Sequence, residues 1–271
     1  NLVSKIYNAT VFYNGSDIYD KFSKNITVTV NPTILANDTV LMYKDGTEFV
    51  AKFLDKTGKA LANTSVKFNI NGVFYTKTTD AEGIAKLGIR LRPGAYILTA
   101  YNDITGEEKG FDVTVKSLIA ANDLTKYYMN ASRFEATIYN KDGTLAINKN
   151  VTFNINGVFY TKQTDNNGYC SMGINLMPGD YIITTIYNNC KIGNNIKVLS
   201  VIITNDLRLN KSEKCIFPVR LVDGQGNSIS SEILTFNING IFYQKTTNDK
   251  GMAYLNLNFV DVGEYIVTIQ H

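Results

Sequence analysis

The chain has 271 residues, 44% apolar and 19% charged, with 27 basic and 24 acidic side chains for a net charge of +3. The charged share lies below the roughly 25% of an average soluble protein, which excludes a charge-driven disordered chain, and the basic residues are scattered rather than gathered into a nucleic-acid footprint. One histidine, at position 271, and no tryptophan leave little material for His-based acid–base catalysis or a His-ligated metal.

In chain order, residues 5–30 come first. Lys5-Ile6-Tyr7-Asn8-Ala9-Thr10 and Asn25-Ile26-Thr27-Val28-Thr29-Val30 read as two strands joined by a loop. They are like the end of a β domain, as in Tyr96 to Val115 further on. From there the sequence repeats itself. The run Phe68-Asn69-Ile70-Asn71-Gly72-Val73-Phe74-Tyr75-Thr76-Lys77 returns unchanged at Phe153 to Lys162 and, with two changes, at Phe236 to Lys245.

The flanks keep register. Each copy opens on an Asn-Asp pair, at Asn37-Asp38, Asn122-Asp123 and Asn205-Asp206. An alternating run follows, with Phe49, Ala51 and Phe53 on one side in the first copy. Past the shared run stand turns at Asp80, Asp165 and Asn248, then tyrosines at Tyr96, Tyr181 and Tyr265. A unit of this length is too long for a solenoid repeat and has the size of a small domain. We therefore expect residues 1–31 to be the last two strands of a preceding domain, 32–116 and 117–200 to be complete repeats, and 201–271 to be a third repeat without its final strand.

Period-two alternation marks every element as a strand, and no amphipathic helix is found. Six or seven strands per copy with regular turn signals predict an all-β fold of tandem immunoglobulin-like sandwiches. Linkers of two or three residues predict a stiff rod. The Asn71-Gly72 turn pairs Ile70 with Val73, Asn69 with Phe74 and Phe68 with Tyr75. Val66, Phe68, Ile70, Val73 and Tyr75 are then expected in the core. Phe74, with Phe159 and Phe242, is expected on the outer face, either open to partners or covered by a neighbouring loop. Phe68, Phe153, Phe236, Tyr96, Tyr181 and Tyr265 are expected to be buried.

These motifs, together with Thr-Thr-Asp-x-x-Gly and Pro-Gly-x-Tyr-Ile, resemble the tandem immunoglobulin-like repeats of archaeal adhesin-like proteins, large surface proteins of methanogens. The opening Tyr13-Asn14-Gly15-Ser16-Asp17-Ile18-Tyr19 resembles the end of a related bacterial-type repeat. The resemblance covers nearly the whole chain and carries no catalytic residue. It implies an extracellular, cell-surface, non-enzymatic protein that attaches to another cell, protein or glycan. The third copy departs from the pattern by lacking a last strand and by placing Pro218 in a strand.

Candidate sites are few. Phe74, Phe159 and Phe242 are the expected binding residues, since aromatic faces suit sugars and protein partners. The Asp80, Asp165 and Asn248 turns have oxygen ligands suited to calcium, but lack the late glutamate of an EF-hand and are read as Asx turns. The Asn-Asp pairs are read as caps of linker turns. Cys170, Cys190 and Cys215 share no metal or redox spacing; Cys170 is read as a small buried hydrophobe, Cys190 as a loop residue and Cys215 as preceding a strand. No cofactor or metal is expected. Sequons stand at Asn8, Asn14, Asn25, Asn37, Asn63, Asn130, Asn150 and Asn210. No run of 18 apolar residues is present, so no membrane span is expected, and the chain, which opens without a signal-peptide pattern, is read as a piece of something longer. The incomplete ends are read as simple truncation, with weak head-to-tail self-association by strand addition as the alternative. Two further function classes remain open: a glycan-binding module with sites on the repeats themselves, and accessory repeats of a larger surface enzyme.

Overall fold

The structure is a computed structural model that describes residues 3–210, 213, 215–257 and 261–271. Every regular element among these residues is a β-strand. None is a helix long and apolar enough to cross a membrane. The chain divides into two compact units, Asn1–Leu118 with Asn140–Thr144, and Ile119–Tyr139 with Leu145–His271.

The first unit opens with β1 (Lys5–Tyr13) and β2 (Phe22–Val30), an antiparallel ribbon in register from Lys5 opposite Val30 to Tyr13 opposite Phe22. Tyr7, Ala9, Val11 and Tyr13 share a face with Val28, Ile26 and Phe22; Tyr7 and Ala9 are half-buried and the others are exposed. The first repeat follows: β3 (Ile34–Ala36), β4 (Thr39–Met42), β5 (Glu48–Phe53), β6 (Ser65–Ile70), β7 (Val73–Thr78), β8 (Ile84–Gly88), β9 (Gly94–Asn102) and β10 (Glu107–Lys116). These form a three-stranded sheet, β3-β5-β8, and a five-stranded sheet, β4-β10-β9-β6-β7. This two-sheet arrangement is an immunoglobulin-like sandwich. Alternate residues point inward, as strand geometry requires. Phe49, Phe53 and Phe68 are fully buried, and both Phe49 and Phe53 meet Phe68 edge-on at 5.8 Å between centroids.

The second unit repeats the plan. β11 (Ile119–Ala121), β13 (Arg133–Ile138) and β16 (Tyr169–Gly173) form one sheet. β12 (Leu124–Tyr127), β18 (Cys190–Leu199), β17 (Gly179–Tyr187), β14 (Asn150–Ile155) and β15 (Val158–Gln163) form the other, in that order. Phe134 and Phe153 meet at 5.8 Å and nearly perpendicular. The third repeat has β19 (Ile202–Ile203), β20 (Cys215–Leu221) and β23 (Met252–Leu257) in one sheet. Its second sheet is β22 (Ile241–Thr246), β21 (Ile233–Ile238) and β24 (Val267–Gln270), with β21 central. Phe217, Leu221, Leu234 and Phe236 fill its core. Pro218 is tolerated in β20 because it lies beyond the two pairs that β19 makes, Ile202 with Leu221 and Ile203 with Arg220.

The hairpin register follows the turn chemistry. Asn71 and Gly72 both adopt positive φ, 53° and 76°, as do Asn156-Gly157 and Asn239-Gly240, which is the type I′ geometry. Ile70 pairs with Val73, Asn69 with Phe74 and Phe68 with Tyr75.

Five expectations need correction. Each of the first two repeats has eight strands, not seven, because the first strand breaks at Asn37-Asp38 or Asn122-Asp123 and changes sheet. The Asn-Asp pair therefore lies inside the repeat rather than at a linker. Asp38 Oδ1 accepts the Asp112 N–H at 2.8 Å, and Asp123 Oδ1 accepts that of Asn195 at 2.9 Å. Val73 and Tyr75 face the core side but stay 49% and 37% exposed, because β7 is an edge strand of a five-stranded sheet that overhangs a sheet of three. Tyr96, Tyr181 and Tyr265 are half-buried. Each hydroxyl donates to a carbonyl four residues back, on Arg92, Met177 and Asp261 at 2.8–2.9 Å, and that polar need keeps the ring at the rim. Cys190 is buried at the start of β18, not in a loop.

Candidate functional site

The predicted aromatics lie on the outer face of the sheet that holds the Asn-Gly hairpin, which is the larger sheet in the first two repeats and one of two three-stranded sheets in the third. Phe74, Phe159 and Phe242 stand on β7, β15 and β22, and are 64%, 66% and 67% exposed. No loop covers them. Alternation explains this: Phe68 faces inward on β6, so Asn69 and its partner Phe74 face out. In the first repeat the Phe74 ring meets Tyr101 of β9 at 5.9 Å, a tilted pair. Lys67 beside it is held by Asp103 at 2.8 Å, which raises the Lys67 pKa through that hydrogen bond and charge. A second exposed apolar residue recurs on the same strand as Tyr101: Ile97, with Ile182 and Ile266 as its counterparts.

The turn residues are engaged by backbone. Asp80 Oδ1 accepts the N–H groups of Glu82 and Ile84, Asp165 Oδ1 those of Asn167 and Tyr169, and Asn248 Oδ1 those of Lys250 and Met252. These are Asx turns. Asp123 is held below the usual carboxylate range chiefly by the Asn195 side chain, then by the Asn195 N–H and the Asn194 amide.

Among the cysteines, burial and the nearby Asp165 push the Cys170 thiol up to about 11, so it stays a neutral thiol. Of the sequon asparagines, Asn8, Asn14, Asn25, Asn37, Asn63, Asn150 and Asn210 are exposed and Asn130 is half-buried. Asn130 donates its amide to the Gly224 carbonyl at 2.5 Å and accepts the Ser132 N–H at 2.7 Å. A glycan on Asn130 would replace one amide hydrogen and leave the other to donate to Gly224, at a half-buried position.

Several polar residues had no sequence signal. Lys126 is buried at a position held by Leu41 in the first repeat, and its ammonium donates to the carbonyls of Ile174 and Ser132. Burial lowers its pKa. Glu107 Oε1 accepts from the Ser4 hydroxyl at 2.6 Å. Its Oε2 accepts from the Thr33 N–H, the Thr33 hydroxyl and the Ile34 N–H at 2.5–3.1 Å. Nothing in the spacing marks either residue, because all their partners but Ser132 are distant in sequence.

Two concave regions lie in the second unit. A groove of about 460 Å³ runs along β11 and β13, lined by Asn122, Asp123, Arg133, Glu135 and Tyr169. A second, about 740 Å³, is lined by Leu207, Phe217, Leu257, Tyr265 and Val267. It marks the side of the third core that β12 and β18 close in the second repeat.

A scan of known protein families finds no match for the chain. A search of curated proteins finds none either. Among solved structures, the chain is similar to a Ca2+-stabilised adhesin described as helping an Antarctic bacterium reach out and bind ice, at 14% identity over 97% of this chain and 80% of that one, with TM-score 0.21. It is similar to a tandem segment of titin at 15% identity over 87% of this chain and 94% of that one, TM-score 0.32. It is similar to invasin, described as a bacterial integrin-binding protein, at 17% identity over 88% of this chain and 56% of that one, TM-score 0.28.

Proposed function

We propose that the chain is a non-catalytic segment of a cell-surface adhesive protein, in which immunoglobulin-like sandwiches carry outward faces that contribute to attachment to another cell, protein or glycan. One observation carries the proposal: the first two repeats each close their own core and are followed by only two residues before the next begins, Ser117-Leu118 and Ser200-Val201. Such an array suits a spacer that displays faces rather than a scaffold that gathers a catalytic site. Its side-chain chemistry supports the same reading. Cys170 is neutral and buried, and the lone His271 is exposed and paired with Glu232 at 3.2 Å. The repeat resemblance extends the proposal to the surface of an archaeal methanogen.

The test is display on the source cell. Antibodies raised against the purified segment are expected to label intact, unpermeabilised cells, and the purified segment is expected to bind partner cells and compete with that contact. Labelling that appears only after permeabilisation would overturn the proposal.

A further inference from the structure

The sheet that holds the Asn-Gly hairpin carries in each repeat a line of outward residues that the core does not require; at the turn, Asn154 donates its amide to the Val158 carbonyl at 3.4 Å and Asn237 Oδ1 accepts the Gly240 N–H at 3.1 Å. In the first repeat Phe74 lies opposite Asn69, Asn69 opposite Thr99, and Thr99 opposite Gly110. In the second the same line is Phe159, Asn154, Thr184 and Gly193. In the third it is Phe242, Asn237 and Thr268. The next outward line along the same sheet is not kept: Lys67 and Tyr101 give way to Thr152 and Ile186, then to Thr235 and Gln270. The Phe, Asn and Thr of the first line are thus constant, as is the exposed isoleucine beside them at Ile97, Ile182 and Ile266, where the line on the Lys67 side drifts.

Neighbouring strands stand about 4.8 Å apart, so ring, amide and hydroxyl are spread over about 10 Å of flat sheet. The glycine at the far end of the first two lines carries no side chain, and Ile97 and Ile182 lie against the space beside it, 3.4 and 3.6 Å from where a Cβ would stand. A pyranose ring matches this order of groups. Its C–H face stacks on an aromatic ring, and its hydroxyls exchange hydrogen bonds with an amide and a hydroxyl. The line holds no charge, which suits a neutral sugar and not a sialic or uronic acid. A protein partner fits less well. A stable protein interface buries about 800 Å² on each side, whereas here the apolar Phe74 and Ile97 are separated by Asn69 and Thr99.

We propose that this Phe-Asn-Thr line is a binding subsite for neutral hexopyranosyl chains, one in each repeat, with the Phe74–Tyr101 ring pair making the first repeat the strongest. The proposal deepens the attachment reading above and rests on it only for its biological setting.

The full chain is titrated with cellotetraose, chitotetraose and a β-1,4-linked galactotetraose up to about 10 mM, the weak end of specific binding, and followed by amide NMR. At least one probe is expected to shift the side-chain amides of Asn69, Asn154 and Asn237. Replacing all three phenylalanines (F74L, F159L, F242L) keeps apolar bulk on the strands but removes the rings, and is expected to weaken binding at least about tenfold. The F74Y, F159Y, F242Y variant is expected to retain it. Three outcomes overturn the proposal: no shift with any probe, shifts that persist in the leucine variant, or shifts of these amides that track protein concentration without sugar. The last would make the line a contact between copies. Failure here leaves cell-surface labelling intact, and failure of labelling leaves this titration readable.

Discussion

Phe153 and Phe159 sit six residues apart on one hairpin and on opposite faces of it. Phe153→Ala is expected to cost about 3–5 kcal/mol, the usual range for emptying a large buried aromatic site. Phe159→Ala is expected to stay within about 0.5 kcal/mol, as for a surface change. Denaturant unfolding of the two variants checks the assignment of faces. Gly168 makes a different kind of demand. Its φ is 66°, and a Cβ there would stand 2.8 Å from the Ile138 carbonyl oxygen, to which the local backbone is tightly bonded. Gly168→Ala is expected to destabilise by about 1–3 kcal/mol, and more than Gly143→Ala, where φ is 82° but the space is open. Comparison of the two melting temperatures tests this. Glu107 supplies a pH response. Burial pushes its carboxyl up, but the hydrogen bonds from Ser4, Thr33 and Ile34 outweigh that and leave its pKa lowered. A lowered folded-state pKa stabilises at neutral pH, above the ordinary carboxylate range, and that contribution disappears as pH falls through the folded-state pKa. The protection factors of the Thr33 and Ile34 amides, corrected for the intrinsic slowing of exchange at low pH, are therefore expected to fall on acidification, and Glu107→Gln is expected to lower them at neutral pH and flatten the dependence.

At the level of elements, the hairpins were the most legible part of the sequence. Asn-Gly between two alternating runs sets both turn type and register, and so it also set which side Phe74 faces. The split first strand was not legible. Its halves, three residues in β3 and four in β4, carry no Gly or Pro at the break, and what holds the break is a carboxylate bonded to a strand more than seventy residues away. The rim tyrosines were misjudged for a related reason: hydrophobic pattern reports which way a ring points, not that its hydroxyl needs a carbonyl. The candidate binding line was half legible. Phe74 and Asn69 follow from the turn, but Thr99 joins them only through the pairing of β6 with β9. The strand switch has a direct test. Asp123→Ala is expected to raise amide exchange along β12 and the facing part of β18, while the β14–β15 hairpin keeps its protection. Equal exchange in both would show that the carboxylate does not hold the switch.

For the molecule as a whole, the pairing of opening and closing strands matters most. β4 runs parallel to β10, from Thr39 opposite Val113 to Met42 opposite Lys116, and β12 runs parallel to β18 from Leu124 opposite Ile196 to Tyr127 opposite Leu199. The described residues of the third repeat contain no such parallel pair. Its β24 pairs with β21 alone, and its side chains alternate between half-buried and exposed. Suppose now that the chain is stretched from its two ends. Tension enters the first repeat on the N-terminal side of β4 and leaves on the C-terminal side of β10. Because the two strands are parallel, that load slides one along the other, and their hydrogen bonds must give way together rather than one at a time. Single-molecule extension is expected to show two repeats yielding at high force and the third yielding first, at low force. A tether built this way bears shear in its first two sandwiches.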